Sequence, residues 1–197
     1  MRFCDEQDFG FGWLEDADHL RRTSHALVAD GGVWLIDPVA WPEAEVRARE
    51  LGEPRGVLQL LDRHERDCAA VADRLGAPHH RVPAERLDGA PFEFLPVSGN
   101  RFWHESALWW PVPRVLVVAD ALGTVGYFRA PGEPLGVHPL LRLRPPPALR
   151  RVYPEHVLTG HGAGVHVDAA HVLHLALRTS RRRLPAALWS ALRARGS

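Results

Sequence analysis

The chain has no lysine, only two cysteines and no long apolar run, and the last two of these features exclude classes of protein. Its basic residues are therefore all arginine, which we attribute to coding bias rather than to function. Basic and acidic residues balance at 24 each, so no overall field draws the chain to nucleic acid or to an anionic bilayer. We accordingly expect neither nucleic acid nor membrane among its partners.

The two cysteines, Cys4 and Cys68, are too few and too far apart to form a disulfide framework or a zinc ribbon. Residues 1–11 include acidic side chains and lack the basic and apolar segments of a signal peptide. No apolar run approaches the roughly 18 residues that a membrane-spanning helix needs. We expect a cytoplasmic protein that folds as one domain over residues 1–197.

Arginine is concentrated in one place, residues 178–183, directly after a predicted helix. Cations at the carboxyl end of a helix interact favourably with the helix dipole. We therefore interpret this segment as a solvated helix end.

Short apolar runs alternate with helical stretches along the chain. The Asp-Gly-Gly sequence at 30–32 predicts a hairpin between β-rich runs at 26–29 and 33–36. Further strands are expected at 57–61, 80–82, 92–95, 106–110, 115–119 and 157–159, and helices at 43–51, 68–75, 165–178 and 185–195. The proline-rich segment 131–147 is expected to be a surface loop that crosses near the site.

Polar residues follow several of these predicted strands. Residues 62–67, with the sequence Asp-Arg-His-Glu-Arg-Asp, come directly after the apolar run 57–61. Other candidates at strand ends are Asp37, Asn100, Asp120 and His161. Because strand ends of an α/β fold meet at one edge of the sheet, several of these side chains are expected to converge there.

The first of these clusters resembles a signature of the metallo-β-lactamase superfamily. That signature reads His-x-His-x-Asp-His at the end of a strand. The matching residues here are Asp62, His64, Arg66 and Asp67. Only His64 is the same amino acid as in the signature.

The later motifs are similar to those of the same family and follow in the same order. The Gly-His-Thr-x-Gly motif is similar to residues 99–104, with Asn100 at the ligand position. Asp120 matches the bridging aspartate, and His161 matches the late Gly-His-Gly motif. The strand that ends at Asp37 resembles the one that buttresses the family's site.

The resemblance implies an α/β fold, an αββα sandwich of two mixed β-sheets with helices on the outer faces. The family typically holds two metal ions at one sheet edge and hydrolyses esters, amides, thioesters or phosphodiesters. The tentative metal ligands implied here are Asp62, His64, Asp67, Asp120 and His161. We expect at most one divalent ion (Zn, Mn or Fe), or none, with His64 and Asp120 as the catalytic residues.

Arg66 departs most clearly from the family pattern, because it replaces a ligating aspartate. A guanidinium stays protonated and offers no lone pair to a cation. We hypothesise that Arg66 supplies the positive charge of a missing ion and forms hydrogen bonds with Asp120 or Asp67. Asn100 and His104 are further candidates for ligand binding.

Several of these residues have simpler explanations. Asp67 is a natural N-cap of the helix predicted at 68–75. Asp120 could cap a turn, and His161 could satisfy nearby backbone groups. Trp103 is either a core residue or a substrate platform.

Two functions remain open at this level. We prefer a non-catalytic, ligand-binding member of the fold that has lost the dinuclear centre and binds a small molecule or a second copy of itself. The alternative is a mononuclear metal-dependent hydrolase of a small ester, lactone or thioester. A nuclease is disfavoured because the chain is neutral and the family's nuclease centre needs both metals.

Overall fold

The computed structural model describes residues 1–17, 19–64, 66–98 and 101–194. Strands in these ranges are β1 (Arg2–Gln7), β2 (Gly10–Leu14), β3 (Thr23–Ala29), β4 (Gly32–Ile36), β5 (Glu53–Gln59), β6 (His79–Arg81), β7 (Glu93–Pro96), β8 (Ser106–Trp110), β9 (Val115–Val118), β10 (Leu122–Gly123), β11 (Gly136–Val137) and β12 (His156–Thr159). The α-helices are α1 (Pro42–Leu51), α2 (Cys68–Leu75), α3 (Ala169–Thr179) and α4 (Leu184–Ala194), and short 3₁₀ helices span Pro139–Leu141 and Ala148–Arg151.

Ten of the strands form two mixed sheets. The larger sheet has the order β1-β2-β3-β4-β5-β6, antiparallel from β1 to β4 and parallel from β4 to β6. The smaller sheet has the order β12-β9-β8-β7, in which only β12 and β9 are parallel. β10 and β11 pair separately.

The strands β4 and β9, inside the two sheets, are apolar and buried on both faces because each sheet is covered on two sides there. In β9, Val115 and Val117 belong to a core shared with residues of the larger sheet, whereas Leu116 and Val118 belong to a core shared with α3. Successive side chains of a strand point to opposite faces, which produces this division. On the other side, α1 and α2 pack against the outer face of the larger sheet. The predicted αββα sandwich is therefore confirmed.

The structure confirms the predicted β3–β4 hairpin and the predicted start and end of helix α2. The β3–β4 hairpin turns at Asp30 and Gly31, both with positive φ (50° and 75°), the conformation that Asp-Gly turns favour. Helix α2 begins at Cys68 and is ended by Gly76 in the left-handed conformation (φ 66°).

Other parts of the chain differ from the prediction. The β1–β2 hairpin was not predicted, since acidic residues interrupt its apolar pattern. Helix α3 begins at Ala169 and not at 165, because Val165 pairs with Val157 in a short bridge. No helix in the described ranges is long and apolar enough to cross a membrane.

The segment 131–147 is also more tightly packed than predicted. Arg142 is fully buried, and its guanidinium donates to both carboxylate oxygens of Glu133 at 2.6 and 3.2 Å. It also donates to the main-chain carbonyl oxygens of Phe128 and Val137. A buried ion pair of this kind attaches the segment to the core. The segment is therefore packed into the fold and is not the surface loop that was predicted.

Asp5 joins the first strand to the carboxyl-terminal half of the chain. Its side chain is buried and accepts hydrogen bonds from the Gly164 N–H (2.8 Å) and from His166 Nε2 (3.0 Å). His25 Nε2 lies 3.4 Å from its other oxygen. Burial opposes ionisation, but His166, His25 and the Gly164 N–H outweigh it and hold the pKa of Asp5 well below its usual range.

We expect Asp5 to contribute to stability in a pH-dependent way. Its pKa is lower in the folded than in the unfolded chain, so the stabilisation is present above the unfolded value, about 4, and is lost as pH falls through the folded value. Asp5→Asn should therefore lower the free energy of unfolding in urea at pH 7 by about 2 kcal/mol, and by less at pH 3. The exposed Asp16, paired with Arg2, supplies the control Asp16→Asn. An Asp5→Asn protein with an unchanged pH profile would contradict this role.

Candidate metal centre

Three of the predicted site residues come together at one edge of the sandwich. His64, Asp120 and His161 each offer a ligand atom, and these atoms lie within 4.8 Å of one another. His64 lies in the turn after β5, Asp120 directly follows Ala119 at the end of β9, and His161 follows β12. β9 and β12 are parallel neighbours, so their carboxyl ends meet at the same edge.

Asp120 lies between the two histidines, and an oxygen atom lies next to the Nδ1 atom of each ring, on the side away from Asp120. Asp120 Oδ1 is 2.8 Å from His64 Nε2 and 2.9 Å from His161 Nε2. His64 Nδ1 lies 3.3 Å from Asp37 Oδ2, and His161 Nδ1 lies 2.9 Å from the Leu20 carbonyl oxygen. Both acceptors require a proton on Nδ1, so in a neutral ring the free lone pair is on Nε2, the nitrogen nearer to Asp120.

Asp120 Oδ1 itself is buried without a hydrogen-bond partner among the described residues. The two ring nitrogens are therefore close to this oxygen, but neither ring N–H is directed at it. Three metal-ligand atoms that surround a common point have this arrangement: they lie close together but form no hydrogen bonds with one another. Two imidazole nitrogens and one carboxylate oxygen are ligands that zinc, manganese and iron accept, so the three residues fit a divalent ion.

The charges around the cluster favour a cation. Burial and the Arg66 charge oppose protonation of His64, but Asp120 and Asp37 together raise its pKa above the ordinary value. Burial also opposes ionisation of Asp120, but His161 and His64 hold the pKa of Asp120 well below its usual range. The Asp120 carboxylate therefore stays ionised beside His64 and His161.

Asp37 supports the cluster from the end of β4. It has a positive φ of 44°, and its Oδ1 accepts the Leu60 N–H at 2.9 Å. Its other carboxylate oxygen faces His64 Nδ1. A carboxylate that orients a ligating imidazole from behind is a common feature of metal sites.

Glu105 holds the turn that presents Asp120, and the sequence analysis assigned it no role. Its Oε1 accepts the main-chain N–H groups of Ala119, Asp120 and Ala121 at 3.0–3.1 Å, and its Oε2 accepts the Trp103 indole N–H at 2.8 Å. Burial and the negative charge of Asp120 raise the pKa of Glu105 to about 7, against the effect of the N–H donors. The only sequence feature that could have indicated this role is the position of Glu105, an acidic residue directly before the buried strand β8.

Arg66 is placed near the cluster but with different partners from those predicted. The acceptors of its guanidinium are the main-chain carbonyl oxygens of Thr23 (2.6 Å), Asp37 (2.9 Å) and Gly160 (2.9 Å). In the described part of the chain, no hydrogen bond joins Arg66 to Asp120 or Asp67, which corrects that element of our hypothesis. The carbonyl groups at three strand ends accept from both terminal nitrogens of the guanidinium, whereas its Nε has no partner among the described residues.

The structure does not bring the remaining predicted residues into the cluster. Asp62 Oδ2 lies 3.1 Å from His104 Nδ1 in a pair near the surface. Asp67 occupies the N-cap position of α2 without a side-chain capping bond, and its carboxylate accepts the Ala40 N–H at 2.8 Å. Asn100 lies outside the described residues.

Aromatic side chains wall the cluster on the side of Asp120. The Phe128 ring stacks on His161 with 5.3 Å between centroids, and His138 packs against Phe128 and Trp103. Burial lowers the pKa of His138 to about 4. Trp103 is only 3% exposed and donates to Glu105, so it is a core residue and not an open substrate platform.

No protein-family model matches this chain, and no curated protein sequence does. Solved structures do resemble it. A metallo-β-lactamase from Erythrobacter litoralis has a TM-score of 0.58 at 10% identity over 91% of this chain and 92% of that chain. One from Hirschia baltica has a TM-score of 0.57 at 9% identity over 91% and 97%. The chemotaxis sensor ODP, solved as a peroxy diiron species, has a TM-score of 0.57 at 13% identity over 93% and 99%. Likeness at such identities establishes the fold alone.

Proposed function

We propose, from the metallo-β-lactamase fold that this chain has, that it binds one divalent metal ion through His64, Asp120 and His161 and hydrolyses a small ester, lactone or thioester. The observation that carries the proposal is Asp120 Oδ1, which is buried without a hydrogen-bond partner in the described part of the chain and lies beside two imidazole nitrogens. This is the function that the sequence alone ranked second.

The residues around the cluster have separate roles in this proposal. A divalent ion supplies Lewis acidity, which lowers the pKa of a water molecule and polarises a carbonyl oxygen. Three protein ligands leave positions for water and substrate. Asp37 and the Leu20 carbonyl fix the tautomers of the two histidines, and Glu105 fixes the turn at Asp120. Asp120 has a low pKa and is a weak base, so it orients water rather than deprotonating it.

One ion is proposed and not two because of Arg66. Its guanidinium stands where the family has an aspartate ligand, and it is engaged with three carbonyl oxygens. A positive charge at that position repels a second cation.

A second candidate function is non-catalytic binding of a small ligand. Arg66 Nε is buried without a partner among the described residues, so it could donate to a ligand. Asp62 and Asp67 have other partners and do not serve as metal ligands, which also favours a site that binds a small molecule in place of metal ions. In this case a proton on His64, whose pKa is raised, balances the charge of Asp120.

Hydrolysis by metal-reconstituted protein separates the two functions. Chelator-treated protein is supplemented with zinc, manganese or iron(II) and assayed with p-nitrophenyl acetate, an aliphatic lactone and an acyl thioester. We expect turnover only after reconstitution, and a loss of about 100-fold or more in Asp120→Ala. His104→Ala, which removes a histidine outside the cluster, is the control. Stoichiometric metal without turnover of any of these substrates would contradict the hydrolase and favour the ligand-binding candidate.

A further inference from the structure

A second concave surface involves none of the residues of the candidate metal centre. It is a groove of about 860 Å³ between the end of β7 and the segment 140–150. Its lining includes Leu140, Leu143, Arg144, Arg150 and Arg181. The volume is within the range of about 300–1,000 Å³ that is typical of small-molecule sites.

The groove concentrates positive charge in a chain whose net charge is zero. Arg144, Arg150 and Arg181 come from three separate segments, and no carboxylate in the described ranges forms a salt bridge with any of them. Arg181 donates from Nε to the Leu143 carbonyl oxygen at 2.7 Å, which holds its guanidinium beside the groove. The arginine-rich segment 178–183 thus contributes to a surface that the tertiary fold assembles.

The same groove exposes apolar side chains. Leu140 is 76% exposed and Leu143 is 60% exposed, and both line the groove beside the arginines. Exposed leucines favour an apolar ligand, and unpaired guanidinium groups favour carboxylate or phosphate oxygens. From this combination we propose that the groove binds an amphipathic anion, an acyl chain that ends in a carboxylate or a phosphate group.

A single amphiphile fits this surface better than a lipid bilayer does. The leucines line the same concave surface as the arginines, so a flat membrane would not reach both sets of side chains together. The overall neutrality of the chain also provides no general attraction to an anionic membrane.

The groove is connected to the metal centre through a short path of contacts. The Leu140 N–H donates to His138 Nδ1 at 3.2 Å, His138 packs on Phe128, and Phe128 stacks on His161. His138 and Phe128 therefore lie between the groove and His161, although neither of them lines the groove. That the ligand is also a substrate rests on the proposed function, whereas its binding does not.

Calorimetric titration of chelator-treated protein with decanoate, below the concentration at which it forms micelles, tests the binding itself. We expect saturable binding of one decanoate per chain, with much weaker binding of decan-1-ol and of acetate. Arg144→Gln/Arg150→Gln should weaken decanoate binding about tenfold, and Leu140→Ser should also weaken it. Arg55→Gln/Arg182→Gln removes the same charge from exposed positions outside the groove and should leave binding unchanged.

Three results would overturn the proposal. They are equal affinity in the Arg144→Gln/Arg150→Gln protein and its control, absence of saturable decanoate binding, and binding to anionic phospholipid vesicles without binding of the free amphiphile. Because the protein is free of metal, these outcomes are independent of whether the hydrolase function holds.

Discussion

Protein purified without chelator is expected to contain close to one divalent ion per chain, and His64→Ala is expected to lose it. His64 supplies one of three ligands, and its replacement leaves His161 and Asp120 without the third donor. With only two protein ligands left, we expect affinity to fall by about 100-fold or more. Inductively coupled plasma mass spectrometry of untagged protein, before and after incubation with zinc, manganese or iron(II), measures the occupancy.

His104→Ala is the matched control, because it removes a histidine that pairs with Asp62 outside the cluster. It should retain metal at the wild-type level. Wild-type protein that takes up none of the three ions would contradict a metal centre. A proton on His64 would then balance the charge of Asp120.

Arg66→Met is expected to lower the free energy of unfolding by about 3 kcal/mol or more. The guanidinium of Arg66 accounts for three hydrogen bonds to the carbonyl oxygens of Thr23, Asp37 and Gly160, at the ends of β3, β4 and β12. Methionine fills similar space but donates no hydrogen bond, so these acceptors lose a partner. Urea-induced unfolding followed by tryptophan fluorescence measures the change.

The control is Arg63→Met, which removes the same charge from a half-exposed side chain that lies over the ring of Trp103. Arg66→Lys keeps the charge but loses the planar fork of donors, so it should fall between the wild type and Arg66→Met. It also supplies a measurement if Arg66→Met does not fold. An Arg66→Lys protein as stable as the wild type would show that the three carbonyl contacts contribute little.

The sequence by itself determined local elements, and its resemblance to the metallo-β-lactamase superfamily implied the layers of the fold. The apolar run 115–119 indicated a strand, and the Asp-Gly-Gly and Gly76 signals located a hairpin and a helix end. These signals are local, so they can be read without knowing which distant residues meet. The ligand types at His64, Asp120 and His161 were also visible, because each follows an apolar strand.

Only the tertiary structure decided which candidates share one site. Asp62 and Asp67 are close to His64 in the chain, but Asp62 pairs with His104 and Asp67 accepts a hydrogen bond from the Ala40 N–H. Glu105 becomes important only because its carboxylate meets the turn at Asp120, 15 residues away.

The partners of Arg66 were decided in the same way. Its nearest acceptors are carbonyl oxygens that three strand ends bring together, and one of them belongs to Gly160, 94 residues along the chain. Main-chain groups carry no signature in the sequence, because every residue has a carbonyl group. Their contribution to the site therefore depends on how the two sheets pack, which is a property of the whole fold.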